Sequence, residues 1–200
     1  MTASTQQDPA RRVASIEDRV AAIESVLDDH AMQPAAFVNT FTEWATEEWL
    51  PANGARVVAK AWAEPDFRAR LLANGIAAVG ELGLPMPTHH RHLVALENTA
   101  TVHNVICCTL CSCTAFTIIG LPPDWYKDLE YRARVVRESR TVLREMGLEL
   151  ATDIEIRVWD TTADTRYMVL PERPAGTEDW SQERLASLVT KEGLIGVARI

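Results

Sequence analysis

The cysteines constrain this 200-residue chain more than any other feature. All four of them lie in one short segment, at Cys107, Cys108, Cys111 and Cys113. A disulfide between the neighbours Cys107 and Cys108 would be strained, and one between Cys111 and Cys113 would close a very tight ring. Free cysteines also pack inside proteins as small apolar residues. So dense a cluster nevertheless favours a metal site.

Two common kinds of thiolate site fit the spacing poorly. A structural zinc ion is usually held by ligands from two separated pairs, and no second Cys-x-x-Cys occurs in the chain. His103 is a candidate fourth zinc ligand, but so close before the cysteines it is equally well placed as a strand residue. An iron–sulfur cluster would need a further, distant cysteine.

The spacing of Cys108, Cys111 and Cys113 indicates a different kind of site. Thiolates at positions i, i+3 and i+5 converge on one ion only if the backbone folds tightly between them. That folding brings the backbone amides of Ser112 and Cys113 to the same centre, where a highly charged cation can deprotonate them. Such donors suit trivalent iron or cobalt better than zinc. We call residues 108–113 the metal claw, and we expect one coordination position to stay open for water or substrate.

Composition excludes several classes of partner. The formal net charge of −8 repels nucleic-acid phosphates and anionic membrane surfaces, and no basic stripe with interleaved aromatic residues offsets it. No run approaches 18 apolar residues, so no transmembrane helix is expected. Residues 1–10 lack the apolar core of a secretory signal. We therefore expect a cytoplasmic protein with reduced thiols and no nucleic-acid or membrane partner.

The first 84 residues have mostly helical patterns. Residues 1–12 are polar and aperiodic, which predicts a disordered tail. Ser15 then opens an amphipathic helix, and Pro34 opens a second one. We expect residues 13–84 to form a helical arm that wraps a partner or the body of the domain. The alternative is a helical cap on the chain's own core.

Within this region, Pro51-Ala52-Asn53-Gly54 predicts a turn, because proline, asparagine and glycine favour turns. Two helices are expected after it, over Ala55–Trp62 and Asp66–Leu82, separated by Pro65.

From residue 85 onward the pattern changes to strands interrupted by helices. Strands are predicted from β-branched residues and period-two alternation over His92–Leu96, Thr101–Ile106, Asp153–Trp159 and Arg166–Leu170. The last two are expected to pair with each other. Helices are expected over Trp125–Met146 and Ser181–Val189. Because there is no regular βαβ repetition, the fold class is α+β, with the metal-claw catalytic domain over 85–200.

The segment Cys108-Thr109-Leu110-Cys111-Ser112-Cys113 resembles the claw motif of the nitrile hydratase alpha subunit family. This family includes the thiocyanate hydrolase gamma subunit and the toyocamycin nitrile hydratase alpha subunit. The resemblance implies a helical N-terminal arm followed by a layered α-β-β-α metal-binding domain. It extends over nearly the whole chain, through the segments at 53–62, 97–99, 102–105, 120–127, 131–134, 157–160, 166–177 and 194–197.

The resemblance also implies a role for each residue of the claw. Cys108 is the axial thiolate, Cys111 and Cys113 are equatorial sulfurs, and the backbone nitrogens of Ser112 and Cys113 complete the ligand set. In the family Cys111 is oxidised to sulfinate and Cys113 to sulfenate, the fate of accessible thiolates. Threonine at position 109 goes with cobalt and serine with iron, which favours Co(III) over Fe(III).

The implied reaction adds water to a nitrile and gives an amide. A trivalent metal can polarise the nitrile as a Lewis acid or generate a hydroxide nucleophile. The Cys113 sulfenate oxygen is either the nucleophile or its general base, and we count Ser112 with it among the catalytic positions. In the family a beta-type subunit supplies arginines to the oxidised cysteines, and an activator protein delivers cobalt. The chain alone is therefore expected to be an incomplete enzyme.

Departures from the family pattern concern the substrate pocket. Thr114-Ala115-Phe116 follows the claw where the family has Tyr-Pro-Trp, and His89 and His90 lie where the family often has Gln-Gly. The histidines belong either to a solvated loop or to a site that places an imidazole near the substrate. Phe116, His89 and His90 are accordingly predicted to line the pocket.

Several alternatives stay open at this point. Nitrile hydration is favoured over the hydrolysis of thiocyanate by a gamma-type subunit, and a bulky nucleoside nitrile is another possible substrate. A protein that only holds or transfers cobalt is the alternative from another class.

Two further interpretations concern single residues. Cys107 is a small strand residue or, in a rival register, a ligand together with Cys111. Ion pairs with acidic residues, within the domain or across a subunit interface, are expected for Arg132, Arg134, Arg157 and Arg166.

Overall fold

Helices and short strands alternate in the computed structural model, which describes residues 14–200. The predicted tail over 1–12 lies outside the described residues. The helices are α1 Ile16–Asp29, α2 Pro34–Glu43, a π-helical segment Trp44–Glu48, α3 Pro51–Ala63, α4 Pro65–Ala73, α5 Gly75–Gly80, α6 Phe116–Ile119, α7 Asp124–Lys127, α8 Leu129–Glu145, α9 Gln182–Ala186 and α10 Lys191–Ile195. The strands are β1 His92–Glu97, β2 Val102–Cys107, β3 Glu155–Asp160 and β4 Thr165–Leu170.

The chain divides into two units after Glu43. In the first unit, the Ser15 hydroxyl accepts a hydrogen bond from the Asp18 N–H at 3.1 Å and caps α1, which confirms the predicted helix start. α2 begins at Pro34, as predicted. No residue of either helix is buried, and several of their apolar side chains, such as Ile23 and Phe37, are exposed.

The second unit runs from Trp44 to Ile200 and contains α3, α4 and α5. The structure thus divides the chain near residue 44, and not near the predicted boundary at 84. These helices belong to the second unit because they bury side chains in its core, among them Val57, Val58, Phe67, Leu71 and Val79.

Two predictions for this helical region are wrong. The segment Pro51–Gly54 is no turn, because α3 begins at Pro51, where the missing N–H of proline costs nothing and its fixed φ suits the first helical position. The single helix predicted over Asp66–Leu82 divides at Asn74, which has an extended backbone with φ −155° and ψ 92°. The Asn74 side chain then caps α5 by accepting from the Ala77 N–H at 3.1 Å.

The four strands form two parallel pairs. β1 pairs with β4, with Leu93 beside Arg166, and β2 pairs with β3, with Cys107 beside Asp160. The prediction that β3 and β4 pair with each other is therefore wrong. Although only four residues separate them, the chain crosses there from one sheet to the other, so that each strand joins an earlier one.

The contacts between elements give a layered arrangement. α4 and α5 pack on β1, strands β2 and β4 bring the two sheets together, and α8 packs on β3. The order is helix, sheet, sheet, helix, and the predicted α+β class is confirmed. Over residues 14–200, no helix is both long and apolar enough for a bilayer crossing.

Two C-terminal helices differ from their predicted bounds. The helix expected over Trp125–Met146 is split into α7 and α8, because Asp128 between them caps α8 through its side chain. A kink at Glu138 bends α8 further on. The helix expected over Ser181–Val189 is shorter and is capped by the predicted Ser181.

Candidate metal centre

The metal claw begins where β2 ends. Cys107 is the last residue of the strand and is fully buried. Cys108 follows it and is also buried, whereas Cys111 is exposed and Cys113 is half-buried. The chain then resumes regular structure at Phe116, the first residue of α6. The claw is therefore an irregular loop between a core strand and a core helix.

Three sulfur atoms converge within this loop. Cys111 Sγ lies 3.1 Å from Cys108 Sγ and 2.9 Å from Cys113 Sγ. Ligand atoms of all three residues lie within 4.8 Å of one another, and the described residues contain no other such group of histidine, cysteine or acidic side chains. The structure thus brings together the three predicted cysteine ligands.

The spacing of the sulfurs tests which coordination they fit. With a metal–sulfur bond of about 2.3 Å, two sulfurs at a right angle are separated by about 3.3 Å and two at a tetrahedral angle by about 3.8 Å. The observed distances of 2.9 and 3.1 Å are closer to the right-angle value. Both sulfur–sulfur distances are therefore closer to a right-angle arrangement around one metal ion than to a tetrahedral one.

The pKa values of the Cys108 and Cys113 thiols are shifted in opposite directions. Burial raises the pKa of Cys113 to about 11, and hydrogen bonding and charge repulsion from Cys111 act in the same direction. Burial also opposes ionisation of Cys108, but hydrogen bonds around its sulfur outweigh burial and lower its pKa. Crowded sulfurs cannot all ionise without a cation among them. A bound metal would supply that cation.

Neither alternative ligand joins the group. Cys107 points into the core, and burial raises the pKa of its thiol to about 12, so it fits the predicted role of a small strand residue. Both ring nitrogens of His103 are hydrogen-bonded elsewhere, Nε2 to the Gly196 carbonyl at 2.7 Å and Nδ1 to Asn98 at 3.3 Å. The His103 side chain therefore serves the packing of the core.

Three side chains from other elements hold the claw. The Thr109 N–H and hydroxyl both donate to the Asp160 carboxylate, at 2.9 and 2.5 Å. The Arg132 guanidinium donates to the carbonyl of Cys111 at 2.8 Å, and the Tyr126 hydroxyl to that of Cys113 at 3.3 Å. The claw loop is thus fixed at its start, middle and end.

Asp160 was not among the predicted site residues. It is the last residue of strand β3 and the register partner of Cys107. A sequence signal existed, because this acidic residue directly follows the predicted strand Asp153–Trp159, but the wrong strand pairing hid its proximity to the claw.

Replacing Asp160 by alanine is expected to speed the loss of bound metal from the claw by about 10- to 100-fold, the usual range for groups that orient ligands. The reason is that both Thr109 donors lose their acceptor. Asp160→Asn keeps an acceptor oxygen and should have a smaller effect. The measurement is metal release to a chelator from the purified complex, with the exposed Asp153→Ala as control. Equal release rates in Asp160→Ala and wild type would contradict this role.

The residues predicted to line the substrate pocket lie together beside the claw. The His90 and His89 ring centroids are 4.3 Å apart, and the Phe116 ring is 6.3 Å from that of His90. Trp49 stacks on Phe116 at 5.3 Å. Burial and the charge of Arg166 lower the pKa of His90 to about 4, so its imidazole is neutral at pH 7. Whether these rings contact a substrate stays a prediction.

Fold and site together define a class of protein: an α+β chain that presents a compact claw of cysteines, suited to one metal ion, at the end of a core strand. The family model described as nitrile hydratase, alpha chain, matches residues 14–198. The chain belongs to this family, as its motifs had indicated.

Relatives of known name agree with this placement. A nitrile hydratase alpha subunit from Rhodococcus sp is 48% identical over 92% of this chain and 93% of its own length. The low-molecular-weight cobalt-containing nitrile hydratase alpha subunit of Rhodococcus rhodochrous is 46% identical over 92% and 88%. The thiocyanate hydrolase gamma subunit of Thiobacillus thioparus is 40% identical over 74% of this chain and 65% of its own length.

A solved structure is similar as well. A double histidine-to-alanine mutant of the Fe-type nitrile hydratase from Comamonas testosteroni Ni1 superimposes with a TM-score of 0.85. It is 57% identical and covers 92% of this chain and 89% of its own. Relatives named for cobalt and for iron are therefore both similar to this chain.

Proposed function

We propose that this chain is the metal-binding alpha-type subunit of an enzyme that hydrates nitriles to amides at a non-corrin Co(III) centre. The observation that carries the proposal is the convergence of the Cys108, Cys111 and Cys113 sulfurs within 4.8 Å. It occurs in a chain that is 48% identical to a nitrile hydratase alpha subunit over nearly its full length.

In this proposal the three sulfurs and the backbone nitrogens of Ser112 and Cys113 hold the metal. When bound, the trivalent ion supplies Lewis acidity. Cys113, as the sulfenate, supplies the oxygen that acts as nucleophile or as general base. Water adds across the carbon–nitrogen triple bond, so that its oxygen ends on carbon and both hydrogens end on nitrogen. Phe116, His89 and His90 shape the pocket in which the nitrile lies.

The choice of cobalt rests on Thr109 and on the cobalt-containing relative at 46% identity. Fe(III) is the second candidate, because the Fe-type structure is 57% identical. Thr109 donates its hydroxyl hydrogen to Asp160, which a serine in its place could also do. Metal content of the purified complex, measured after growth with cobalt and with iron, decides between them.

The chain is proposed to act in the cytoplasm with a beta-type subunit, after cobalt delivery by an activator protein. Exposure of the claw supports an incomplete site, since the Leu110 side chain is 89% exposed and Cys111 is exposed beside it. A reactive centre benefits from the exclusion of bulk water, and the arginines expected from the partner would neutralise oxidised sulfurs.

Co-expression with the beta-type partner tests the proposal. The purified complex is expected to contain about one cobalt per alpha chain and to convert a simple aliphatic or aromatic nitrile into its amide. Carbonyl sulfide formed from thiocyanate, without amide formation from nitriles, would favour the thiocyanate hydrolase alternative, which the gamma-subunit relative supports. Bound metal without turnover of either substrate would favour a metal-holding protein.

A further inference from the structure

Unpaired buried nitrogen atoms gather around the metal claw. Within residues 14–200, the buried side-chain nitrogens without a hydrogen-bonding partner are both ring nitrogens of His90 and the Nε atoms of Arg132 and Arg166. Arg132 contacts the claw through the Cys111 carbonyl, and His90 packs against Phe116, three residues beyond Cys113. Buried polar groups are nearly always paired, so such a cluster requires an explanation.

Arg166 is the most unusual member of the cluster. Arg166 is a residue of strand β4 and is only 4% exposed. Its guanidinium donates to the carbonyls of Thr162 and Thr165, and no carboxylate among the described residues lies within ion-pair distance. Arg134 and Arg157 do form the predicted ion pairs, with glutamates. Arg132 and Arg166 have no acidic partner in the part of the chain that is described, and pairing across a subunit interface stays a prediction for them.

A buried cation without an anion is costly. The position of Arg166 suggests where its anion lies. Its guanidinium binds the turn at Thr162, two residues beyond Asp160, which holds the claw at Thr109. Strand β4, which carries Arg166, also packs against β2, the strand that leads directly into the claw. His90, which is neutral, adds no second positive charge there.

We propose that Arg166 is the internal counter-cation of the metal-loaded claw. This inference rests on the proposed function, in which three sulfurs and two deprotonated backbone amides surround one trivalent ion. Those five anionic donors exceed the charge of the metal, so the loaded claw is negative. In the metal-free chain Arg166 donates only to backbone carbonyls and has no carboxylate partner among the described residues, whereas the loaded claw would offer it a negative charge. Arg166 therefore favours the loaded state by removing the cost of its own uncompensated burial.

The proposal predicts that loss of the Arg166 charge destabilises the metal-loaded complex but not the metal-free one. Arg166→Met keeps most of the side-chain volume and removes the charge. In the co-expressed complex loaded with cobalt, the variant is expected to lose metal to a chelator about 10- to 100-fold faster than wild type. In the metal-free complex its thermal midpoint should be unchanged or higher. A purely structural role would lower the midpoint of both forms.

Two control variants complete the experiment. Arg166→Lys keeps the charge and should retain metal better than Arg166→Met, while the exposed Arg157→Met should behave as wild type. Unchanged metal release in Arg166→Met, equal destabilisation of both forms, or failure of both Arg166 variants to fold would overturn the proposal. None of these readouts uses a nitrile. A complex that binds cobalt but hydrates no nitrile would reject the proposed function and leave this test intact.

Discussion

Complexes that carry Cys113→Ser are expected to hydrate nitriles at least about 10³-fold more slowly than wild type, within the range that loss of a positioned base or nucleophile produces. The hydroxyl of serine occupies nearly the same space as the thiol. It cannot, however, form a sulfenate, and it is a harder and less acidic donor than sulfur. Since Cys113 Sγ lies 2.9 Å from Cys111 Sγ, the substitution also removes one edge of the sulfur cluster. The measurement is amide formation, with metal content determined on the same sample.

Cys107→Val is the matched control for this substitution. Cys107 lies in the same segment but has its side chain in the core, so valine should preserve packing, metal content and turnover. Turnover retained in Cys113→Ser would refute the role given to Cys113. Metal lost from Cys107→Val would revive the rival register in which Cys107 and Cys111 are the ligands.

The claw could be predicted from the sequence because its geometry is local. Three ligands within six residues can meet only by a tight turn, whatever surrounds them. The strand β2 that leads into the claw was also predictable, because Val102, Val105 and Ile106 have strong strand preferences. The residues that hold the claw are not local, and position in the sequence does not reveal which strand end or helix face will lie next to it.

The wrong predictions about the fold have the same origin, because they too were decided by contacts between residues distant in sequence. The segment from Pro51 contains residues typical of turns, but burial of Ala55, Val57 and Val58 against the core outweighs the local preference of Asn53 and Gly54. The pairing of β3 and β4 appeared favourable because strands close in sequence usually pair. Here the burial of both sheets against each other places them in different layers.

Gly196→Ala is expected to destabilise the folded chain by about 2–6 kcal/mol, the sum of about 1–3 for backbone strain and about 1–3 for overpacking. Gly196 ends α10 with φ +91°, a conformation that residues with a Cβ rarely adopt. An added Cβ would lie 2.0 Å from the Asn104 carbonyl oxygen on β2. Because backbone cannot rotate away as a side chain can, either α10 or β2 must move.

Two other glycines separate the contribution of backbone strain from that of overpacking. Gly176 has φ +77° with open space around its Cβ position, and Gly80 has open space and no positive φ. Gly176→Ala should therefore cost about 1–2 kcal/mol from strain alone, and Gly80→Ala should be close to neutral. Calorimetric unfolding of the three variant complexes measures the order of these stability losses. A cost for Gly196→Ala no larger than that for Gly176→Ala would show that β2 gives way without loss. In that case β2 would not be the rigid support that places Cys108 at the start of the claw.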